Sequence, residues 1–133
     1  MAGETIMALG KIKADTLEHS TAGSLNTSYV VQGSAKHWCM VANGGVPSIS
    51  NSLNASSVSD DSTGNFTITL ASAMENTNQA ALGMIANSAA NPSTSNVTGT
   101  MELTTTLAVE TVNTSGTNLD VPFNQFAING DLA

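Results

Sequence analysis

The chain has 133 residues, of which 41% are hydrophobic, only 10% are charged and 47 are Ser, Thr or Asn. This length corresponds to one domain, and Ser, Thr and Asn favour turns and solvated strand faces over helices, so the composition predicts an all-β protein. The net charge is −7 and all three lysines lie within residues 1–36, so the chain lacks the cations that binding to nucleic acid or to an anionic membrane requires.

Cysteine content and hydropathy indicate which classes of β protein the chain does not belong to. A single cysteine, Cys39, cannot form an internal disulfide, so the chain is not a cystine-stapled secreted domain. The first residues include acids and lysines where a signal peptide would be apolar, and no apolar stretch approaches the ~20 residues of a membrane-spanning helix. We therefore expect a soluble protein without membrane insertion.

The N-terminal part of the chain shows no strong hydrophobic period. We interpret residues 1–27 as an extended N-terminal docking arm and residues 28–133 as the folded domain. The first apolar run of that domain, SYVVQ at 28–32, predicts a strand. AKHWCMVA at 35–42 predicts a second strand, and a Gly/Pro/Asn loop follows it at 43–47.

Alternation of apolar and polar residues is clear in the middle of the chain. Phe66, Ile68 and Leu70 share one face of a predicted strand, with Asn and Thr on the other face. The sequence DDSTGN at 60–65 joins this strand to residues 55–59 in a predicted hairpin.

The second half of the chain contains three more predicted strands. QAALGMIA at 79–86 predicts one, although its alanines also suit a helical turn. Residues 100–111 alternate throughout and predict one long strand, and FNQFAIN at 123–129 predicts the last. Polar loops at 91–96 and 113–118 separate these strands. This spacing predicts an antiparallel β-sandwich of jelly-roll-like form.

Unusual residue types gather in the segment Lys36-His37-Trp38-Cys39. On a strand, His37 and Cys39 share one face, and Trp38 and Met40 share the other. Two potential ligands are too few for zinc, and the nearest cation, Lys36, lies on the face away from the thiol. We therefore interpret the cluster as a structural strand, with a small hydrolase that uses Cys39 as the weakest alternative.

Residue spacing gives little support for a metal or glycan site. His19, the only other histidine, lies in the arm. Asp60 and Asp61 begin a stretch that resembles a calcium loop, but no Glu closes it at position 12, so we interpret it as a turn. Sequons for N-glycosylation are little more frequent than chance gives in a chain so rich in Ser and Thr. They begin at Asn26, Asn54, Asn65, Asn96 and Asn113.

Aromatic residues are scarce, with one Trp, one Tyr and three Phe. They are too few for a platform that stacks sugars or bases, so we expect each ring in the core. No paired carboxylates and no Ser/His/Asp set stand out either. We expect no catalytic, cofactor or metal site, and the sequence singles out no receptor-binding residue.

Two stretches of the sequence show a family resemblance. Gly33–Cys39 (GSAKHWC) and Ser52–Met74 (SLNASSVSDDSTGNFTITLASAM) resemble a segment of the tail-fibre-like virion proteins of marine bacteriophages, especially cyanophages. That segment has Gly-Ser-Ala-Lys-Ala-Trp-Val, a Gly-rich turn, a Ser/Asn run, an Asp/Gly turn and an alternating strand that ends near Ala-Met. The resemblance covers roughly residues 11–88 and is specific over residues 33–74.

Three residues depart from the family pattern. His37 stands where the family usually has Ala, Cys39 where it has Val, and Met40 where it has a polar residue. A cysteine at a valine position indicates a packing residue, because free cysteine behaves as a small hydrophobe.

The resemblance implies a non-enzymatic structural protein of the virion without a cofactor. It would be a tail-fibre or host-attachment component whose polar loops, at one end of the sandwich, contact a receptor such as a host surface glycan. One alternative is a capsid decoration or head-fibre protein that docks through its N-terminal arm. A second alternative is a bacterial carbohydrate-binding or adhesin module.

Assembly is expected from the lack of edge protection. Exposed sheet edges are usually guarded by Lys, Pro or bulges, but this chain has no lysine after Lys36 and only three prolines. We therefore expect neighbouring copies to cover the edges and the arm. The resemblance to fibre proteins implies that the homo-oligomer is a trimer, in contact with other virion proteins.

Overall fold

The computed structural model describes residues 14–21, 23–88, 91–92 and 95–133. These residues form strands in three antiparallel sheets and one short helix. The elements are β1 (Thr16–His19), β2 (Gly23–Asn26), α1 (Thr27–Gly33), β3 (Ala35–Asn43), β4 (Pro47–Leu53), β5 (Ala55–Ser62), β6 (Asn65–Leu70), β7 (Ala80–Ser88), β8 (Asn91–Pro92), β9 (Asn96–Leu103), β10 (Thr106–Val112) and β11 (Phe123–Asn129).

Two of the sheets pack against each other and form the sandwich. The smaller sheet has the strand order β5-β6-β10-β9, and the larger has β4-β3-β11-β7-β8. Hairpins alternate between them: β3–β4 and β7–β8 belong to the larger sheet, and β5–β6 and β9–β10 to the smaller. β11 then returns to pair between β3 and β7. The antiparallel β-sandwich predicted from the sequence is confirmed.

The inward faces of the two sheets form one hydrophobic core. β6 contributes Phe66, Ile68 and Leu70 at alternate positions, all at most 4% exposed. From the other sheet, Phe126 of β11 meets Phe66 edge to face, with ring centroids 6.0 Å apart. Burial stabilises the fold by roughly 1.5–3 kcal/mol for each large apolar side chain, so the central strands hold the two layers together.

Every edge strand of the sandwich pairs with its neighbour through a register shift. Shifts occur in the pairs β3–β4, β7–β8, β5–β6 and β9–β10. In addition, β4 begins at Pro47, and the edge strand β5 carries Asp60 and Asp61. Bulges, prolines and charges all hinder pairing with a foreign strand. The edges therefore have guards that the lysine and proline content did not reveal, and their cover by neighbouring copies stays a prediction.

Residues 28–32, predicted as a strand, lie in α1 instead. Asn26 caps this helix, because its side chain accepts a hydrogen bond from Ser28 N at 3.0 Å. At the other end, Lys36 Nζ donates to Val31 O. These local hydrogen bonds outweigh the strand preference of the two valines. Within the described ranges, no helix is long and apolar enough to cross a membrane.

The long strand predicted over residues 100–111 is a hairpin. β9 ends at Leu103, β10 begins at Thr106, and Met101 lies opposite Leu107. The two threonines between the strands form the turn. They lack the Gly, Asn or Asp that mark hairpin turns, so the alternation runs through the turn without a break.

The other predicted elements fall where the sequence places them. β3, β7 and β11 cover the strands predicted at 35–42, 79–86 and 123–129, and the alanine-rich one is not a helical turn. The hairpin predicted around 60–65 is confirmed. Of the predicted arm, residues 1–13 and 22 lie outside the described part, as do two residues of the predicted loop at 91–96. The rest of the arm forms the β1–β2 hairpin and the start of α1.

Substitution of Gly64, in the turn between β5 and β6, should cause a large and specific loss of stability. Its φ is +73°, and an added Cβ would lie 2.6 Å from Thr111 O and 2.7 Å from Leu119 N. Gly116, with φ +76° and open space around it, is the matched control. We expect Gly116→Ala to cost about 1 kcal/mol for the backbone strain alone, and Gly64→Ala at least about 2 kcal/mol more. Urea unfolding measures both, and equal losses would contradict the clash.

Candidate interaction surface

β3 separates the Lys-His-Trp-Cys cluster onto two faces. His37 and Cys39 point into the core with exposed fractions of 0% and 1%, whereas Trp38 and Met40 are 37% and 38% exposed. Pairing with β4 on one side and β11 on the other keeps this orientation. The distribution of these side chains predicted from the alternation is confirmed.

The Cys39 thiol has the properties of a packing group. Burial raises its pKa to about 12. A nucleophilic thiol needs the opposite, a lowered pKa and access to a substrate. Cys39 lies instead in the hydrophobic core cluster, together with Val41 and Phe126.

His37 is buried in its neutral form. Its Nδ1 lies 3.3 Å from the carbonyl oxygen of Asn54, which makes Nδ1 the protonated nitrogen, and its Nε2 has no hydrogen-bond partner among the described residues. Desolvation lowers the pKa of His37, and backbone hydrogen bonds to Asn54 and Leu53 oppose part of that shift. Both effects describe a core histidine rather than a general base open to a substrate.

The acidic pair lies on edge strand β5 before the turn. Asp61 accepts hydrogen bonds from Thr67 Oγ1 at 2.7 Å and from Ser59 Oγ at 3.4 Å, so its carboxylate links β5 to β6. In the part of the chain that the structure describes, no three His, Cys, Asp or Glu residues are grouped so that they could hold a metal ion.

Sequon asparagines take part in turns. Asn54, with φ +59°, exchanges two hydrogen bonds with Ser72: its Nδ2 donates to Ser72 O at 3.1 Å and its Oδ1 accepts from Ser72 N at 2.6 Å. Asn113 Oδ1 accepts from the backbone N–H groups of Ser115 and Thr117, both at 2.9 Å. The Asn54 amide thus links the β4–β5 connection to the segment after β6, whereas the Asn113 amide holds its own loop.

The outward side of the larger sheet is mostly apolar on β3 and β7, with Gln125 of β11 and Asn51 of β4 as polar members, and we call it the apolar face. Leu82 and Met84 of β7 are 65% and 72% exposed there. The pairing register aligns them with outward residues of β11, β3 and β4. A contiguous apolar patch on a protein surface marks a site of interaction. The large apolar members of the face are Trp38, Met40, Leu53, Leu82, Met84 and Phe123.

A concavity of about 410 Å³ lies within the apolar face. Trp38 and Met40 line one side and Leu82 and Met84 the other, with β11 between them. Cys39 also borders the concavity, but its side chain is covered. Gln125 is the one polar side chain among the described residues that line it, so the concavity suits apolar contact.

The outward side of the smaller sheet has the opposite character. Ser59, Thr67, Ala108 and Thr100 lie side by side across its four strands, and Glu110 follows on β10. This face has the hydroxyl and carboxylate groups expected of a sheet that faces water. The sandwich therefore has one wet face and one apolar face.

The N-terminal hairpin and helix have no core of their own. From here on, the arm means residues 14–34, which are the described part of the predicted arm together with the rest of α1 and Ser34. None of its described side chains is buried. Its large apolar side chains are between 42% and 69% exposed, and a lone hairpin or a helix of seven residues is marginal in water. The arm therefore presents apolar surface that only another surface can cover. These side chains are Leu17, Leu25, Tyr29, Val30 and Val31.

Three connections meet at one end of the sandwich, which we call the loop end. They are the β3–β4 loop, the β5–β6 turn and the segment between β10 and β11. Asp120 joins them, because its Oδ1 accepts hydrogen bonds from Gly64 N at 2.8 Å and from Asn43 Nδ2 at 3.4 Å. Thr111 Oγ1 adds a bond to Leu119 O at 2.6 Å.

The arm joins the sandwich at the opposite end. α1 leads into β3 at Ala35, and β3 reaches the loop end only at Asn43. The contact of His37 with Asn54 and the turn between β9 and β10 lie at the arm's end as well, since Thr105 O accepts from Leu70 N at the end of β6. The molecule thus has an arm at one end and polar loops at the other.

Comparisons of the chain with protein-family models, with curated proteins and with solved structures found no match.

Sequence reasoning missed the apolar face. We expected all five aromatic rings in the core, but only Phe66 and Phe126 lie there, whereas Tyr29 is 69% exposed and Trp38 and Phe123 are 37% exposed. One signal was present: β3 alternates between two apolar rows, and only one row is needed for the core. On β7, Leu82 and Met84 likewise form an apolar row in addition to the row that faces the core.

The two faces of β3 predict opposite reactivity for neighbouring positions. In the folded protein at pH 8, Cys39 should not react with a thiol reagent, because it is buried and its pKa is about 12. In a Cys39→Val background, Met40→Cys should react within minutes, since that position is exposed. Absorbance of the released thiolate measures both, with full reaction of Cys39 in urea as the control. Rapid reaction of native Cys39 would contradict the assignment.

His37 predicts that the protein loses stability as the solution is acidified. Because burial lowers the folded-state pKa of His37, the unfolded chain takes up the proton first, and the free energy of unfolding falls as the pH drops below about 6.5. The slope from this residue reaches at most about 1.4 kcal/mol per pH unit. Urea unfolding from pH 7.5 to 5 should show that slope, and His37→Gln should remove it.

His19→Gln is the matched control, since it removes the only other imidazole, and it should keep the slope. An unchanged slope in His37→Gln would overturn this account of His37.

Proposed function

We propose that this chain is a non-enzymatic structural protein of a bacteriophage virion, a tail-fibre-like component that contributes to host attachment. The observation that carries the proposal is the placement of the arm and the polar loops at opposite ends of one sandwich. A virion part of this kind needs one end that docks on the particle and another that faces the host. The sequence resemblance over residues 33–74 supports the same setting.

The loop end is suited to recognition because its loops are held in place. Asp120 and Thr111 tie the loops by hydrogen bonds to each other and to the strands, so a ligand that binds there need not order them. Val46, in the β3–β4 loop, is 81% exposed. Polar loops with an exposed apolar tip suit a host surface glycan or another uncharged receptor.

The chain would act as a homo-oligomer on the virion surface. The arm and the apolar face both expose side chains that association would cover. Three copies are the number that the likeness to fibre proteins favours. Contacts with other tail or capsid proteins complete the assembly.

A capsid decoration or head-fibre protein is the second candidate. The exposed apolar side chains of the arm favour it, because they would equally pack against a capsid shell. The two candidates share the fold and the docking arm and differ in the position on the particle.

If the loop end binds the host receptor, the purified protein should compete with the phage for attachment to host cells. Purified protein should reduce adsorption of the phage that encodes it to its host cells, and Val46→Asp should weaken that competition at least about tenfold, equivalent to about 1.4 kcal/mol. Thr105→Asp, which places the same charge on an exposed turn at the arm's end, should compete like the native protein. Plaque counts after adsorption measure both.

Gold-labelled antibodies against the chain locate it on the purified particle. Label on the tail together with competition supports the attachment role. Label on the capsid without competition would support the decoration protein instead. Particles without label would rule out both the attachment role and the decoration role.

A further inference from the structure

We propose that the apolar face of one copy is the docking surface for the arm of a neighbouring copy, so that copies associate head to tail. This inference rests on the proposed homo-oligomer but not on its place in a virion. It names the two surfaces that meet.

The first argument is that the chain carries two complementary sets of uncovered apolar side chains. Tyr29, Val30 and Val31 project from the arm, and Leu82 and Met84 from the apolar face, all at least 42% exposed. Since both sets are exposed in the single chain, the described arm does not cover the face of its own sandwich. A contact between arm and face covers both sets at once.

The second argument is the area that association buries. Four strands about 4.8 Å apart and about seven residues long at about 3.3 Å per residue give the apolar face roughly 440 Å² in projection. Specific interfaces bury about 800 Å² on each partner. Two apolar faces packed together would reach roughly half of that. In a head-to-tail ring each copy takes part in two such contacts, one through its face and one through its arm, so the area buried per copy is about twice that of a face-to-face dimer.

The third argument is charge. The chain has a net charge of −7, so copies repel each other except where carboxylates are missing. Among the described residues, the outward positions of β3, β4, β7 and β11 carry no Asp or Glu. The arm carries Asp15 and Glu18, which the wet face with Glu110 would repel. The apolar face is therefore the sheet surface that can accept the arm.

Head-to-tail contact is also compatible with a closed assembly. A face that meets a different surface of its neighbour generates a ring when the rotation closes. A trimer is one such ring, so the proposed copy number requires no further interface. Contact between like faces would stop at a dimer and leave every arm exposed.

Two variants each remove one of the two surfaces. Leu82→Glu with Met84→Glu places charge on the apolar face, and Tyr29→Ser with Val30→Ser and Val31→Ser makes the arm polar. Light scattering at micromolar concentration should give an oligomeric mass for the native chain and the mass of one chain for each variant. Thr98→Glu with Thr100→Glu adds the same charge to the wet face and should leave the oligomer intact. Near-native unfolding curves for all variants show that the sandwich still folds.

Mixing the two defective variants gives the decisive result. The face variant still has a native arm, and the arm variant still has a native face, so a mixture should form dimers with one chain of each kind and no larger species. Dimers in the arm variant alone would show face-to-face contact and overturn the inference. Oligomers that persist in both variants would overturn the inference while leaving the homo-oligomer standing. A native chain that stays monomeric would overturn both.

Discussion

The register of β3 is the constraint on which the rest of the molecule depends. β3 pairs with β4 and β11, and its inward row, which includes His37, Cys39 and Val41, packs into the core around Phe66. A slip of one residue would bury Trp38 and Met40 and expose the imidazole and the thiol. One register therefore decides two properties together: the reactive residue types are removed from solvent, and an apolar row is left facing outward.

The inward row also explains why His37 and Cys39 lack the properties of a catalytic pair. Both side chains are held in their neutral forms, the thiol by a raised pKa and the imidazole by a lowered one, and desolvation causes both shifts. Catalytic pairs need the reverse, a charged nucleophile stabilised by its neighbours. The cost of burying His37 is partly offset by its hydrogen bond to Asn54 O, which also ties β3 to the start of β5.

The sequence is enough to predict the sandwich and its central strands, because β6 and β11 alternate cleanly and their turns contain Gly, Asn or Asp. Prediction from the sequence fails where local hydrogen bonds decide the structure, or where a turn lacks the Gly, Asn or Asp that would mark it. The two valines of α1 favour a strand until the Asn26 cap and the Lys36 contact are known. β4 is rich in serine and lacks a long apolar row, so nothing in its pattern marks it as a strand. The apolar face is missed because an apolar row on each side of a strand usually means that both sides are buried.

Guarded edges and an open face together determine how copies of this chain can meet. Strand addition requires a straight run of free backbone groups, and the register shifts next to all four edge strands interrupt those runs. Side-chain packing on a flat sheet has no such obstacle. In the proposed head-to-tail association the extent is limited only if the rotation between copies closes a ring. A chain with only three basic residues can form few salt bridges with a neighbour, so in the proposed association the shape and the apolar character of the apolar face provide the specificity.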